Sequence, residues 1–151
     1  YGKYQNVTKQ KTLGIEFEVG FQSKKFQADF NYTYLKGEMI DRDSTYSSLI
    51  RRPSNAWNLY LQAKLTTKWS VGLSNQYVGQ RTDYFYDESS YSVKANPMSA
   101  YLWTDVSVHY QFNSKWKISA LLKNALNQEI TEITGYSGQP RNAQLTLLGS
   151  F

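Results

Sequence analysis

The chain has no cysteine and no long apolar run, and each shortage removes a class of protein. Without cysteine there is no disulfide framework, no thiol catalysis and no cysteine-ligated zinc. The longest apolar runs are a few residues, far short of the roughly 18 to 20 that a membrane-spanning helix needs, so a helical membrane protein is excluded. Charge is sparse too: 19% of the 151 residues are Asp, Glu, Lys or Arg while 16% are aromatic, a balance that argues against intrinsic disorder. Glycine-rich phosphate loops, metal-ligand spacings and nucleophile elbows are missing. The chain opens on Tyr1 without the basic stretch and apolar core of a signal peptide, as expected of a mature form or an excised piece. What it does have is 13 Tyr, 7 Phe, 4 Trp and a net charge of +5, on a length that fits about one domain.

Apolar residues recur at every second position and nowhere at helical spacing. The runs are Leu13, Ile15, Phe17, Val19, Phe21; then Phe26, Ala28, Phe30, Tyr32, Tyr34; then Trp57, Leu59, Leu61, Ala63, Leu65. They continue, with Asn75, Thr104 and Gly149 as interruptions, through Trp69, Val71, Leu73, Asn75, Tyr77; Leu102, Thr104, Val106, Val108, Tyr110, Phe112; Trp116, Ile118, Ala120, Leu122; and Ala143, Leu145, Leu147, Gly149, Phe151. The positions between them are nearly all polar or glycine, with Tyr60, Leu121 and Leu148 as exceptions. The alternation predicts an all-β chain of seven antiparallel strands. Such strands suit a sheet with one buried face, or a membrane barrel with lipid outside and water inside.

The connections favour the barrel. Gln22 to Lys25, Thr66 to Lys68 and Asn113 to Lys115 are short, whereas Lys36 to Ile50, Gln80 to Ala100 and Ala125 to Pro140 are long. Short and long alternate strictly, and loops beyond about 12 to 15 residues are uncommon in compact soluble domains. Short turns on one side and long loops on the other are the pattern of a bacterial outer-membrane barrel. Aromatic residues sort by strand end as well. Phe21, Phe26, Trp69, Phe112, Trp116 and Phe151 stand beside the short turns, and Tyr32, Tyr34, Trp57 and Tyr77 stand at the far ends. Two aromatic rings around an aliphatic band form the girdle pattern of a protein in a bilayer. About nine residues per stripe, rising about 3.3 Å each at about 45° tilt, span about 21 Å, close to the roughly 25 Å apolar band of such barrels.

Seven crossings pose a closure problem, because single-chain bacterial barrels have even strand numbers. The first strand starts at the long-loop side and the last ends at Phe151 on the short-turn side. The expectation is therefore a portion of a larger barrel, with its two edges paired to strands outside this chain. A missed strand is the rival. Tyr84 to Tyr91 is aromatic enough for β structure above the membrane but offers no further crossing.

The segments LGIEFEVGF (Leu13 to Phe21), NYTYL (Asn31 to Leu35), RRPSNAWNLYL (Arg51 to Leu61), QYVGQRTDYF (Gln76 to Phe85) and the closing run from Tyr101 to Phe151 resemble, in this order and spacing, the last strands of TonB-dependent outer-membrane receptors. Within the closing run, NALNQEI (Asn124 to Ile130) stands where the family more often has N-L-F-D, and Gly149 where it often has Tyr. The resemblance implies an antiparallel transmembrane β-barrel of about 22 strands occluded by a plug, of which residues 1–151 are the C-terminal seven strands. It further implies uptake of an iron–siderophore chelate, with cobalamin and haem next, driven through TonB by way of an N-terminal region outside this chain. The implied partners are the rest of the barrel and its plug, outer-membrane lipid and lipopolysaccharide, and the metal chelate or cobalamin. The implied site is the Gram-negative outer membrane, with a periplasmic C-terminus. A small eight-stranded barrel enzyme or adhesin, and a soluble all-β binding module, are the alternatives from other classes.

Candidate ligand contacts lie in the long loops: Arg42 and Tyr46 in the first, Tyr84, Phe85, Tyr86 and Tyr91 in the second, Tyr136 in the third. Aromatic side chains supply stacking area at low entropic cost and Arg recognises anionic chelates. The opposite reading of these residues is a rim that merely prolongs the strands. Arg42, Arg51, Arg52, Arg81, Lys94 and Arg141 put positive charge at the long-loop end, suited to lipid-surface phosphate or an anionic ligand. Basic residues occupy both ends and not one face, which argues against nucleic acid. Asp105, Ser107 and His109 share a strand face, but same-face neighbours are nearly 7 Å apart, too far for a catalytic triad. They read as lumen lining, as do Glu16, Glu18 and Asp29. No catalytic residue, metal site or cofactor is expected.

Overall fold

The computed structural model describes residues 9–41, 44–46 and 49–150. Their described elements are all strands: β1 (Lys9–Gln22), β2 (Phe26–Asp41), β3 (Ser44–Tyr46), β4 (Asn55–Lys64), β5 (Trp69–Val78), β6 (Arg81–Asp87), β7 (Ser92–Met98), β8 (Tyr101–Gln111), β9 (Trp116–Lys123) and β10 (Asn142–Gly149). Seven of them make one antiparallel sheet in the order β1-β2-β4-β5-β8-β9-β10, so every long strand pairs with its neighbours in sequence. This up-and-down meander is the wall of a barrel, with β1 and β10 at its two edges.

Register carries the alternation across the whole sheet. Phe30 faces Leu59, Leu61 faces Leu73, Val71 faces Val108, Val108 faces Ala120 and Ala120 faces Leu145, so the apolar stripes join into one surface. The polar stripes join likewise on the other side, Asn31 opposite Asn58 and His109 opposite Ser119. Asn58 donates to the Asn31 side chain at 2.9 Å and His109 Nδ1 lies 2.8 Å from Ser119 Oγ. A one-residue slip would exchange the two faces everywhere, so the pairing is strongly specified.

Among the described residues no layer covers the apolar face. Leu13, Ile15, Phe17, Leu145 and Leu147 are each more than half exposed. The four buried apolar residues of the described chain, Leu49, Met98, Tyr101 and Ile130, all lie at the long-loop end. A water-soluble domain buries its strand interiors; this one exposes them and keeps its small core among the loops, which is the arrangement of a sheet solvated by lipid.

The girdles are in contact. At the long-loop end Trp57 stacks on Tyr77 at 5.6 Å and 14°, and the Tyr32 hydroxyl donates to Asn55 Oδ1 at 2.6 Å. At the short-turn end Phe21 meets Phe26 at 6.2 Å, while Trp69, Tyr110 and Phe112 form a chain of rings at 4.6 and 4.8 Å. Gly149 sits opposite Trp116, and a Cβ on it would fall 2.6 Å from the Trp116 ring, so the ring occupies the place a larger side chain would take. Phe151 lies outside the described residues.

Three elements extend the sequence reading. β1 and β2 run beyond the apolar stripe, pairing Lys9 to Thr12 with Gly37 to Ile40, and β3 pairs onto the end of β2. Above the bilayer both faces meet water, so the period-two signal fades while backbone pairing continues. The second long loop folds into the β6–β7 hairpin, which forms its own two-stranded sheet and adds no crossing. The number of crossings stays at seven.

Candidate functional site

The three long connections converge on one side of the sheet and are held together by one carboxylate. Asp83, on β6, is fully buried. Its Oδ1 accepts from Arg51 Nε at 2.6 Å and from the Tyr84 N–H at 2.9 Å. Its Oδ2 accepts from the Thr134 N–H at 3.0 Å and the Thr134 hydroxyl at 2.8 Å. Arg51 stands just past the first long loop, between β3 and β4, while Asp83 belongs to the second and Thr134 to the third. Burial alone would raise the Asp83 carboxyl, but the Thr134 N–H, the Arg51 guanidinium, the Thr134 hydroxyl and the Tyr84 N–H outweigh it and lower the pKa to about 2.

Other contacts reinforce this clasp. Arg51 adopts a left-handed φ of 58°, and its N–H donates to the Thr82 carbonyl at 2.8 Å while Ile50 bridges Thr82. A non-glycine residue in that region costs on the order of 1 kcal/mol, so its neighbours hold it there. Asn96 Nδ2 donates to Thr134 Oγ1, and the Tyr101 hydroxyl donates to Glu132, each at 3.0 Å. Arg81 is buried, donates to the Thr131 carbonyl at 2.7 Å and lies 5.3 Å over the Tyr101 ring. Leu49 seats against Gly37, where a Cβ would fall 2.9 Å from Leu49 Cγ.

The third loop is anchored at its base by Asn124, also fully buried. Its Nδ2 donates to the carbonyls of Gln128 and Gln139, its Oδ1 accepts from the Gln128 N–H, and its own N–H donates to Asp105 Oδ1. Its φ is 48°, a conformation asparagine tolerates better than most residues. Asn124→Ala removes three side-chain bonds and is expected to destabilise the third loop by about 3 kcal/mol. Hydrogen exchange of residues 126–140 in the complete barrel reads this, and unchanged protection there would show that Asn124 does not hold the loop.

The loop aromatics divide between surfaces. Along β6, Tyr84 and Tyr86 share one face of the hairpin and Phe85 lies on the other with Arg81 and Asp83. Tyr91, in the hairpin turn, is 83% exposed, and Tyr136 on the third loop is 72% exposed. Tyr46 is described through its backbone pairing with Met39, and Arg42 lies outside the described residues. A cleft of about 280 Å³ opens between the Asn96 to Tyr101 segment and Glu129 to Thr131. Two further clefts, of about 420 Å³ between Asn127 to Thr131 and Ser137 to Pro140 and of about 440 Å³ beside Arg52, Arg81 and Met98, fall within the roughly 300 to 1,000 Å³ of a typical ligand pocket.

Three of the six cations named at this end are engaged within the rim. Arg51 is paired with Asp83, Lys94 with Asp87, and Arg81 is buried against carbonyls. The Lys94 ammonium, with the Ser90 and Ser89 hydroxyls, holds the Asp87 carboxyl well below the ordinary range. Arg52 and Arg141 are exposed and carry no ion pair among the described residues.

The lumen residues carry no catalytic geometry. Asp105 Oδ1 accepts from Trp103 Nε1 and the Asn124 N–H, His109 is bonded to Ser119, and Asp29 accepts from Gln27 Nε2 at 2.7 Å. Among the described residues no group of three His, Cys, Asp or Glu side chains could hold a metal ion.

The family model described as TonB dependent receptor-like β-barrel matches residues 2–125. The chain belongs to that family. It is 30% identical over 148 residues to the vitamin B12 transporter BtuB of Vibrio cholerae, a match covering 95% of this chain and 23% of the relative. Among solved structures it superposes on the ferripyoverdine receptor of the outer membrane of Pseudomonas aeruginosa with TM-score 0.82 at 21% identity, covering 94% of this chain and 20% of that one. It also superposes on the ferric-catecholate import receptor Fiu of E. coli with TM-score 0.80 at 22% identity, covering 94% and 21%. The chain thus spans about a quarter or less of these proteins' length, as a section of a TonB-dependent receptor barrel. The family places it in the Gram-negative outer membrane, among receptors and transporters and not enzymes.

Asp83, Asn124 and Thr134 are the residues of this receptor section that sequence reading passed over. Asp83 meets partners 32 and 51 positions away, a separation no local pattern reveals.

Proposed function

We propose that residues 1–151 form the C-terminal section of the barrel wall of a receptor that imports a scarce nutrient across the outer membrane, an iron–siderophore chelate first. The observation that carries this is the convergence of all three long loops into one clasped rim above a lipid-facing sheet. Exposed Tyr86, Tyr91 and Tyr136 offer stacking surface to a chelate, with Phe85, Tyr84, Tyr46 and Arg42 in the same loops. Cobalamin is the second reading, favoured by the 30% identity to the V. cholerae transporter. In this reading the rest of the barrel and a plug complete the lumen, TonB engages a region outside this chain, lipopolysaccharide meets the wall near Tyr32, Trp57 and Tyr77, and the C-terminus is periplasmic.

The test is uptake of radiolabelled ferric siderophores and of labelled cobalamin by cells whose only such receptor is the complete protein. The expected result is TonB-dependent iron accumulation, lowered by Tyr91→Ala with Tyr136→Ala. Uptake of cobalamin alone selects the second reading, and uptake of neither, by a receptor correctly inserted in the outer membrane, refutes both substrates.

A further inference from the structure

The three short turns repeat one tetrad: Ser23-Lys24-Lys25-Phe26, Thr66-Thr67-Lys68-Trp69 and Asn113-Ser114-Lys115-Trp116. Position one is a short polar side chain, position three lysine and position four a bulky aromatic. The structure gives each position one job. The first side chain accepts from the N–H of the aromatic, at 3.0 Å in all three turns, from Phe26 to Ser23 Oγ, Trp69 to Thr66 Oγ1 and Trp116 to Asn113 Oδ1. This local cap sets the turn and aims the aromatic onto the apolar face, where Phe26, Trp69 and Trp116 are 39, 45 and 37% exposed.

The lysine is held by its backbone. The carbonyls of Lys25, Lys68 and Lys115 accept from the N–H groups of Lys64, Gln111 and Ser150 on the next strand, at 2.7, 2.9 and 2.9 Å. The three lysines therefore sit at equivalent heights, one at every second strand gap. Two strand spacings put them about 10 Å apart along the sheet edge, close to a Debye length at physiological salt, so their potentials overlap. None of the residues 22–26, 65–69 and 112–116 is acidic, and no ion pair engages Lys24, Lys25, Lys68 or Lys115 among the described residues. The long-loop end differs, since Arg51, Arg81 and Lys94 there are paired or buried.

We propose that this edge is a phospholipid-binding strip, each tetrad placing an aromatic ring at the acyl boundary and a lysine ammonium at a headgroup phosphate, with selectivity for anionic phospholipid. An aromatic beside a lysine on a lipid-facing surface matches the layered chemistry of an interface, apolar then anionic, whereas an acidic protein partner would need no ring turned toward lipid.

The test uses the complete receptor in nanodiscs of phosphatidylglycerol and phosphatidylcholine in equal parts, with native mass spectrometry of the lipids retained on release. The compared variants are Lys25→Gln, Lys68→Gln and Lys115→Gln combined, and Lys64→Gln with Lys117→Gln as a control on the polar face of the same strands, opposite Ser70 and Gln111. Each lysine near an anionic surface is worth about fivefold in partition, so the triple variant, with one lysine lost at each headgroup site, is expected to lose about fivefold of the phosphatidylglycerol enrichment while the control keeps it. These lysines are exposed and their carbonyl bonds survive the change, and heat-modifiable electrophoretic mobility checks that the barrel is intact. Equal enrichment in wild type and triple variant, or equal loss in the control, overturns the proposal. A nanodisc presents the same lipid on both faces, so the outcome does not depend on which end is periplasmic or on what the receptor imports.

Discussion

Leu61→Lys is expected to destabilise the barrel by about 2 to 4 kcal/mol, while Gln62→Lys, one residue further on, is expected to change stability by no more than about 0.5 kcal/mol. Leu61 sits mid-strand on β4 between Ala28 and Leu73, well inside the two aromatic girdles, so an ammonium there must enter hydrocarbon or distort the bilayer to escape it. Gln62 points to the polar side between Gln27 and Gly72, where water or polar groups solvate a lysine. Val108→Lys, between Val71 and Ala120, is expected to behave as Leu61→Lys does. Denaturant titration of the complete receptor in phospholipid vesicles, followed by tryptophan fluorescence, measures all three. Equal sensitivity at Leu61 and Gln62 would mean that inside and outside are assigned the wrong way round.

Asp83→Ala is the second large change, and its effect is confined to the rim. It leaves Arg51 Nε, the Tyr84 N–H and both Thr134 donors without their acceptor. Breaking a buried pair costs about 3 to 5 kcal/mol, and because Arg51 is half exposed the lower end applies, about 3 kcal/mol of loop stability. Hydrogen exchange of residues 81–98 and 129–137 in the complete receptor should accelerate on the order of a hundredfold, with the sheet strands unchanged. Asp83→Asn separates the two halves of the clasp. An amide has one acceptor oxygen, so it can serve Arg51 and Tyr84 or Thr134, but its NH2 then faces a donor. The pH dependence follows from the same geometry. The Asp83 pKa is depressed from 3.8 to about 2 by folding, so the clasp contributes fully above about pH 4 and is lost as pH falls toward 2. Pepsin cleavage within residues 81–98 should rise over that window in wild type and lack the step in Asp83→Asn. A step that survives the substitution would assign it to another carboxylate.

Much of the wall was legible because a bilayer imposes its pattern locally. The residues between Leu13 and Phe21, and all but Tyr60 between Trp57 and Ala63, answer to lipid or to water by parity alone, and the short turns announce themselves through Ser23, Thr66 and Asn113. The hairpin above the membrane was foreshadowed by the aromatics from Tyr84 to Tyr91. The extension of β1 back to Lys9 was not, since Lys9, Lys11 and Glu38 stand where both faces meet water and no alternation is required.

The sequence by itself determined the crossings, their two faces, the girdles and the family, because each is written in near neighbours or in ordered motifs. Only the tertiary structure decided that the three loops form one rim, that Arg51, Arg81 and Lys94 are spent within it, and that Asp83 and Asn124 organise it. The physical reason is one of range. Lipid and water sort side chains two residues at a time, whereas a buried carboxylate chooses donors by where the paired strands bring distant loops together.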